Sequence, residues 1–513
     1  MSRTANSLRN IKVGAIGQFF SYLINFVTRK IFIIYLSVEY LGLNGLFSNI
    51  LTMLSLMELG VGTAIGYSLY RPLALGEHEK IQALMQLYKR AYTLIGVLVL
   101  GIGLGLTPLL PFFLGEVPEI PNINLIYSLF VLNSGLSYFL SYKRTILVAD
   151  QKKYIDTTFQ YGFQIVKAIG QILVLVISGN YILFLLVMIG STLAENLAAS
   201  HKVNQLYPYI KEKEKKSLGE SELSKIKKNV LALIFHKIGT VVVNGTDNIL
   251  MVKFVSLVSA GIYSNYFMIL NALNKFINII FNSLIASIGN MVVEKEKAES
   301  KLFFDQVNFF SFWIFGFCSI CLLLLFNPFI SLWLGPQYLF DMSVVFVIVI
   351  NFYLTGMLRP IRTFSASMGL FWFDRYKPLF ESAINLGFSI FLVQKIGLIG
   401  VLIGTTISTI TVLFWFEPFV LFHFGFELPL GNYFFKYFKY TAITIGIGYC
   451  TYLLVSLVSI TSPLLDFLVS MIICGSAPNV LYFLVYYRSR EFEYVRALVS
   501  KIIPKRNNTK ELK

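Results

Sequence analysis

The strongest constraint on this chain is a series of segments almost without charge. Segments 94–108, 165–177, 182–189, 309–326 and 344–350 hold one charged side chain between them, Lys167. A helix needs about 20 mainly apolar residues to cross the hydrocarbon core of a bilayer, and with their flanks many segments reach that length. Composition agrees. The chain is 56% hydrophobic and 14% charged, against about 25% charged in soluble domains. A soluble fold would have nowhere to hide that apolar surface. The expected class is an all-α polytopic membrane protein with about fourteen transmembrane helices. Expected spans are 13–36, 40–70, 91–114, 124–148, 159–178, 181–201, 229–252, 258–290, 304–334, 340–368, 378–394, 398–422, 437–460 and 464–487. The first apolar segment has no small-residue cleavage site after it, so it reads as the first span and not as a removed leader.

Net charge is +16. In a soluble protein this would point to nucleic acid, but its placement excludes that partner. With the N-terminus inside and the spans alternating, 36 of the 43 Lys and Arg fall on one side, in eight segments: 1–12, 71–90, 143–153, 202–228, 291–301, 359–377, 436–439 and 488–513. The other side receives only Lys253 and Lys395. Positive residues accumulate on the cytoplasmic face, so both termini are expected in the cytoplasm of a cell that carries this chain in its cytoplasmic membrane.

The chain also repeats itself. Ser37, Gly42, Phe47, Ile50 and Leu51 recur as Ser256, Gly261, Tyr266, Ile269 and Leu270 at an offset of 219, and Arg144-Thr145 recurs as Arg362-Thr363 at 218. Each match falls at an equivalent place in a group of six spans. Six is even, so both groups have the same orientation, which implies a parallel repeat about an axis along the membrane normal. The expected organisation is an N-lobe over 1–201, a charged cytoplasmic linker over 202–228 and a C-lobe over 229–423. A C-terminal helix pair over 424–487 and a basic cytoplasmic tail over 488–513 follow.

Polar residues in the spans fall in stripes at helical spacing. Gln18, Tyr22, Asn25 and Arg29 mark span one, and Ser48, Thr52, Ser55 and Glu58 span two. Gln160, Gln164, Lys167 and Gln171 mark span five. Lys237, Thr240, Asn244 and Asp247 mark span seven, and Asn271, Lys275, Asn278 and Asn282 span eight. Hydrogen bonds between helices are one reading of such stripes. The other is the wall of a hydrated path, and full charges favour it, because one at mid-membrane costs about 2.5–3.5 kcal/mol even on lenient scales. Arg144, Arg359 and Arg362 lie near the cytoplasmic boundary, as anchors or as a basic entrance. Glu381 and Glu417 read as interfacial charges. Cys318 and Cys321 form a CxxC inside an apolar span, which reads as packing. The four histidines have no metal-ligand spacing, and no phosphate-binding loop is present, so neither a metal nor ATP hydrolysis is expected.

Tyr40–Phe47 (YLGLNGLF), 54–65 (LSLMELGVGTAI), 246–250 (TDNIL) and 261–266 (GIYSNY) resemble the multidrug/oligosaccharidyl-lipid/polysaccharide exporter superfamily. Within it the chain is similar to the Wzx-type flippases of O-antigen and capsule repeat units, which commonly carry Asp where Glu58 stands. The resemblance runs over nearly the whole length. It implies a non-enzymatic transporter working by alternating access, with an undecaprenyl-diphosphate-linked oligosaccharide as cargo. Membrane lipids and a polysaccharide polymerase are its implied partners. In that setting Arg29, Lys237, Lys275 and Lys167 would face the diphosphate. Gln18, Tyr22, Asn25, Asn244, Asn271 and Asn278 would bond the sugars. Glu58 and Asp247 would balance the cations or couple transport to a proton or sodium, and no other cofactor is implied. The alternatives are a cation-coupled multidrug exporter, whose cavity should be acidic, and a flippase for peptidoglycan or teichoic acid precursors. A membrane-embedded glycan polymerase or glycosyltransferase would carry larger aqueous loops than these spans leave.

Overall fold

A computed structural model describes residues 3–58, 60–115, 120–211, 245–294, 296–458 and 460–493, with a few positions between 219 and 230. Most of the 202–228 linker, Lys237, Thr240, Asn244 and the 494–513 tail lie outside the described residues. Those described are helical, with no strand among them. Eleven of the described helices are long and apolar enough to cross a membrane, and the chain is a multi-pass membrane protein.

Two compact units divide the chain, Met1–Asn265 and Tyr266–Lys513. The first contains α1 (Arg3–Tyr35), α2 (Val38–Leu54), α3 (Val61–Leu75), α4 (His78–Gly105), α5 (Ile123–Ser141), α6 (Arg144–Ala149), α7 (Lys153–Ser178) and α8 (Tyr181–Leu206). The division falls inside α9 (Leu257–Glu294), not in the charged linker. Residues 245–265 belong with the first unit for a packing reason. A Cβ at Gly42 would lie 2.2 Å from the Leu257 carbonyl oxygen, and one at Gly261 would lie 2.3 Å from that of Val38. Only residues without a side chain allow backbones this close. Gly42 with Gly261, and Val38 with Leu257, are partners at the offset of 219, so the repeat motif packs on its own copy reciprocally.

Span two is not one helix. After α2 the chain makes a tight 3-10 turn over Ser55–Glu58, and Gly60 then takes the left-handed conformation at φ 77°. Glycine adopts that conformation without steric cost. The break lifts Glu58 off the regular helical face shared by Ser48 and Thr52.

The second unit adds α10 (Lys297–Trp333), α11 (Met342–Met357), α12 (Arg359–Ser367), α13 (Lys377–Ile396), α14 (Leu398–Ser408) and α15 (Phe414–Val420). The pair α16 (Gly431–Ser456) and α17 (Pro463–Tyr486) ends it. π-Helical turns at Thr409–Leu413 and Leu421–Phe426 flank α15. Its core is aromatic. Phe304, Phe309, Phe312 and Phe315 of α10 are fully buried. Phe312 stacks on Tyr440 of α16 at 4.3 Å, and Phe309 meets Tyr486 of α17 at 5.0 Å. These contacts fasten the C-terminal pair to α10. The repeat also holds at core positions. Phe47 packs edge-on to Tyr127 at 5.1 Å in the first unit, and its counterpart Tyr266 packs on Phe326 at 5.0 Å in the second. Cys318, Cys321 and Cys474 are free thiols in the helix packing.

Candidate functional site

The span-one stripe faces the stripe on α7. Tyr161 donates its hydroxyl to Gln18 at 3.1 Å. Ser21 and Gln164 exchange hydrogen bonds at 3.0 and 2.8 Å, and Gln164 reaches Asn25 at 3.4 Å. The lower part of the stripe is therefore a hydrogen-bonded seam between α1 and α7. Sequence periodicity identified both stripes but not that they pair. Lys167, one turn further along α7, lies within electrostatic range of Glu195.

Arg29, one turn beyond Asn25, has different surroundings. Its Nη1 donates to the Ser264 hydroxyl of α9 at 2.9 Å, and among the described residues no acid pairs with it. A guanidinium offers five donors in a planar fork, and Ser264 accepts one bond. Asp247 lies near Tyr263, the residue before Ser264. Asn271 and Lys275 are exposed on α9, with Asn278 half-buried on the same stripe.

Glu58 stands apart from these cations. The Tyr92 hydroxyl donates a short hydrogen bond to its Oε1. Tyr88 bonds Thr145 at 3.1 Å and stacks edge-on to Tyr92 at 4.4 Å. Tyr138 also lies within electrostatic range of the carboxylate. A Cβ on Gly62 would lie 2.7 Å from both the Tyr88 and Tyr92 hydroxyls, so the absence of a side chain there lets the tyrosines close over Glu58. Glu58 thus sits in a nest of hydroxyls and not, as a charge balance for Arg29 would require, beside that cation. The tyrosines escaped the sequence reading because each sits in an apolar span and looks like core.

The boundary arginines are held by acids. Arg144 donates to Asp156 through Nε, and through Nη1 to Glu195 at 2.7 Å and Asn196 at 3.2 Å. Arg362 contacts both oxygens of Glu417 at 3.1 and 2.9 Å, and Lys377 adds a bond at 2.7 Å. Glu417 is only 4% exposed, so its expected place as an interfacial charge is wrong: it is the buried centre of a cation pair. Asp374 bonds Lys377 at 3.0 Å. The repeat organises both clusters, for Arg144 and Asp156 lie 218 residues before Arg362 and Asp374. Each arginine also takes a glutamate from the sixth span of its own repeat. Arg359 adjoins the second cluster, close enough to Arg362 for repulsion.

No family model matches the sequence, and no curated protein does. Solved structures do. The lipid II flippase MurJ in an inward closed conformation matches with a TM-score of 0.64 at 15% identity, over 94% of this chain and 99% of that one. An inward-facing multidrug resistance MATE family transporter of the MOP superfamily matches at 0.62 and 14%, over 78% and 94%. The Vibrio cholerae MATE transporter VcmN matches at 0.52 and 14%, over 83% and 99%. The chain therefore has the all-helical fold shared by MurJ and the MATE transporters.

Proposed function

We propose that this protein is a flippase that carries an undecaprenyl-diphosphate-linked oligosaccharide across the cytoplasmic membrane by alternating access, with both termini in the cytoplasm. The observation that carries the reading is Arg29, a cation at membrane depth whose bond goes to a neutral serine. A guanidinium at that depth with no acid paired to it among the described residues is costly, and an anionic cargo would offset that cost while using further donors of the fork. A cavity for cationic drugs would place an acid there. Lys237 and Lys275 remain, by their place in the sequence, further cations we assign to the diphosphate. The amide stripe on α9 would meet the sugars. Two apolar grooves of about 700 and 520 Å³ between α10, α11 and α16 give a prenyl tail surface to lie on, with Leu323, Phe346, Val349 and Ile445 among their walls.

Glu58 is the seat we assign to a coupling proton or sodium. Its tyrosine nest offers neutral oxygens and no described cation. The boundary clusters of Arg144 and Arg362 act in this reading as internal ties; Arg359 stays as the entrance cation. A second reading, a flippase for peptidoglycan or teichoic acid precursors, draws on the likeness to MurJ, which is named for lipid II.

The test is depletion in the cell that makes the protein. Loss of outward-facing repeat units with accumulation of lipid-linked precursor supports the first reading. Arrest of growth with accumulated wall precursor moves the cargo to the second. Normal glycans with altered drug susceptibility would sink both and favour the exporter.

A further inference from the structure

A basic cavity of about 860 Å³ lies in the first unit, away from the α1–α7 seam and from Glu58. Gln86, Lys89 and Arg90 of α4 line it together with Lys143, before α6, and Asn204 of α8; no acid is among its described walls. Lys89 and Arg90 are exposed. Lys143 donates to Ser200 at 2.9 Å and Asn204 at 3.0 Å, which place its ammonium at the cavity wall. Segments 71–90 and 143–153, two of the positively charged connections, supply these cations, and 202–228 adds the neutral Asn204 and Ile210.

The same cavity changes character along α4. Gln86, Arg90, Thr93 and Val97 step by four, three and four, which is one helical face. Leu94 is 60% exposed and Val97 54% exposed, and both line the cavity's lower wall. Leu98 and Ile102 continue the exposed apolar surface toward the middle of the span. Cations thus stand at the span's end, with lipid-facing methyl groups below them. That order matches an anionic phospholipid, headgroup first and acyl chains after. A soluble phosphate would use only the upper half. Basic pockets between helices at a charged membrane face are where such headgroups bind.

We propose that this cavity binds the phosphodiester headgroup of an anionic phospholipid, with Lys89, Arg90 and Lys143 on the phosphate and the acyl chains along Leu94 and Val97. The site is separate from the residues assigned to the cargo, and the inference stands if that assignment fails.

The full-length protein is purified and supplied with mixed micelles of phosphatidylglycerol and phosphatidylcholine. Bound lipid is read by native mass spectrometry and Tm by thermal unfolding. The wild type should retain phosphatidylglycerol selectively and gain Tm from it. Each surface cation is worth about fivefold, so Lys89→Gln with Arg90→Gln should weaken retention by roughly 25-fold. Both residues are exposed, so the lipid-free Tm of that variant should stay close to wild type. Lys89→Arg with Arg90→Lys keeps both charges and should keep retention. Equal retention by the wild type and the neutral pair would overturn the proposal. Stabilisation by inorganic diphosphate equal to that by phosphatidylglycerol, with displacement of the lipid, would also overturn it and assign a soluble anion.

Discussion

Arg29 and Glu58 stand on neighbouring spans and have opposite surroundings. The arginine is held by one serine, the glutamate by a tyrosine that donates to it. Arg29→Gln keeps a donor for Ser264 and removes the charge, so the protein should still fold while translocation of an anionic lipid-linked cargo drops. A lost charge-assisted bond is worth about 1.5–3 kcal/mol, or at least tenfold in flux; an unchanged rate in reconstituted vesicles would remove Arg29 from the path. Glu58→Gln keeps an acceptor for the Tyr92 hydroxyl and removes the carboxylate. Transport by that variant should lose its response to an imposed proton or sodium gradient, which a flux assay with and without the gradient reads directly. Periodicity made both residues legible as intramembrane polar groups. It did not reveal their partners, because which stripe faces which depends on bundle packing. Gln18 and Asn25 look like cavity residues in the sequence and turn out to bond α7.

Between residues and the whole lie the helices and their breaks. Glu417 sits on the short helix between two π-helical turns, and π-bulges often mark functional positions. Glu417→Gln leaves Arg362 and Lys377 without their shared anion. Breaking a buried pair costs about 3–5 kcal/mol, so detergent-solubilised protein should melt well below the wild type; an unshifted Tm would mean water already screens the cluster. The glycine crossing allows a cleaner comparison. Gly42→Ala puts a methyl 2.2 Å from a backbone oxygen, whereas Gly101 has nothing within 4 Å of its would-be Cβ. The first should cost about 1–3 kcal/mol by overpacking, and Gly101→Ala should cost nothing measurable in the same melt. The repeat motif was visible in the sequence, and so were its glycines. That they touch one another was not, since an offset between copies carries no distance. The break after Glu58 was likewise hidden, because a left-handed Gly60 leaves no trace in hydropathy.

At the scale of the molecule the legible part was large. Uncharged runs specify helices that cross lipid, and eleven of the described helices meet that requirement. The spacing of the repeat anticipated a fold that matches MurJ over 94% of the chain and a MATE transporter over 78%. The uneven split of Lys and Arg makes a global prediction of its own. Reporters fused near residue 151 and after residue 513 should both signal the cytoplasm, and one inserted near residue 120 the opposite side. A C-terminal reporter on the outer face would overturn the span count.

The reciprocal contact of Val38 and Gly42 with Leu257 and Gly261 is the kind that two identical subunits make around a dyad. Written into one chain, it frees each copy to diverge. The offset of 219 that pairs those residues also pairs Arg29 with Asn248 and Ser264 with Gly45. Arg29 bonds Ser264, while Asn248 lies 4.0 Å from where a side chain on Gly45 would begin. In a homodimer the cation would appear twice, once at each copy of this contact. Here the position equivalent to Arg29 carries the amide Asn248, so the repeated frame holds this cation in one copy only.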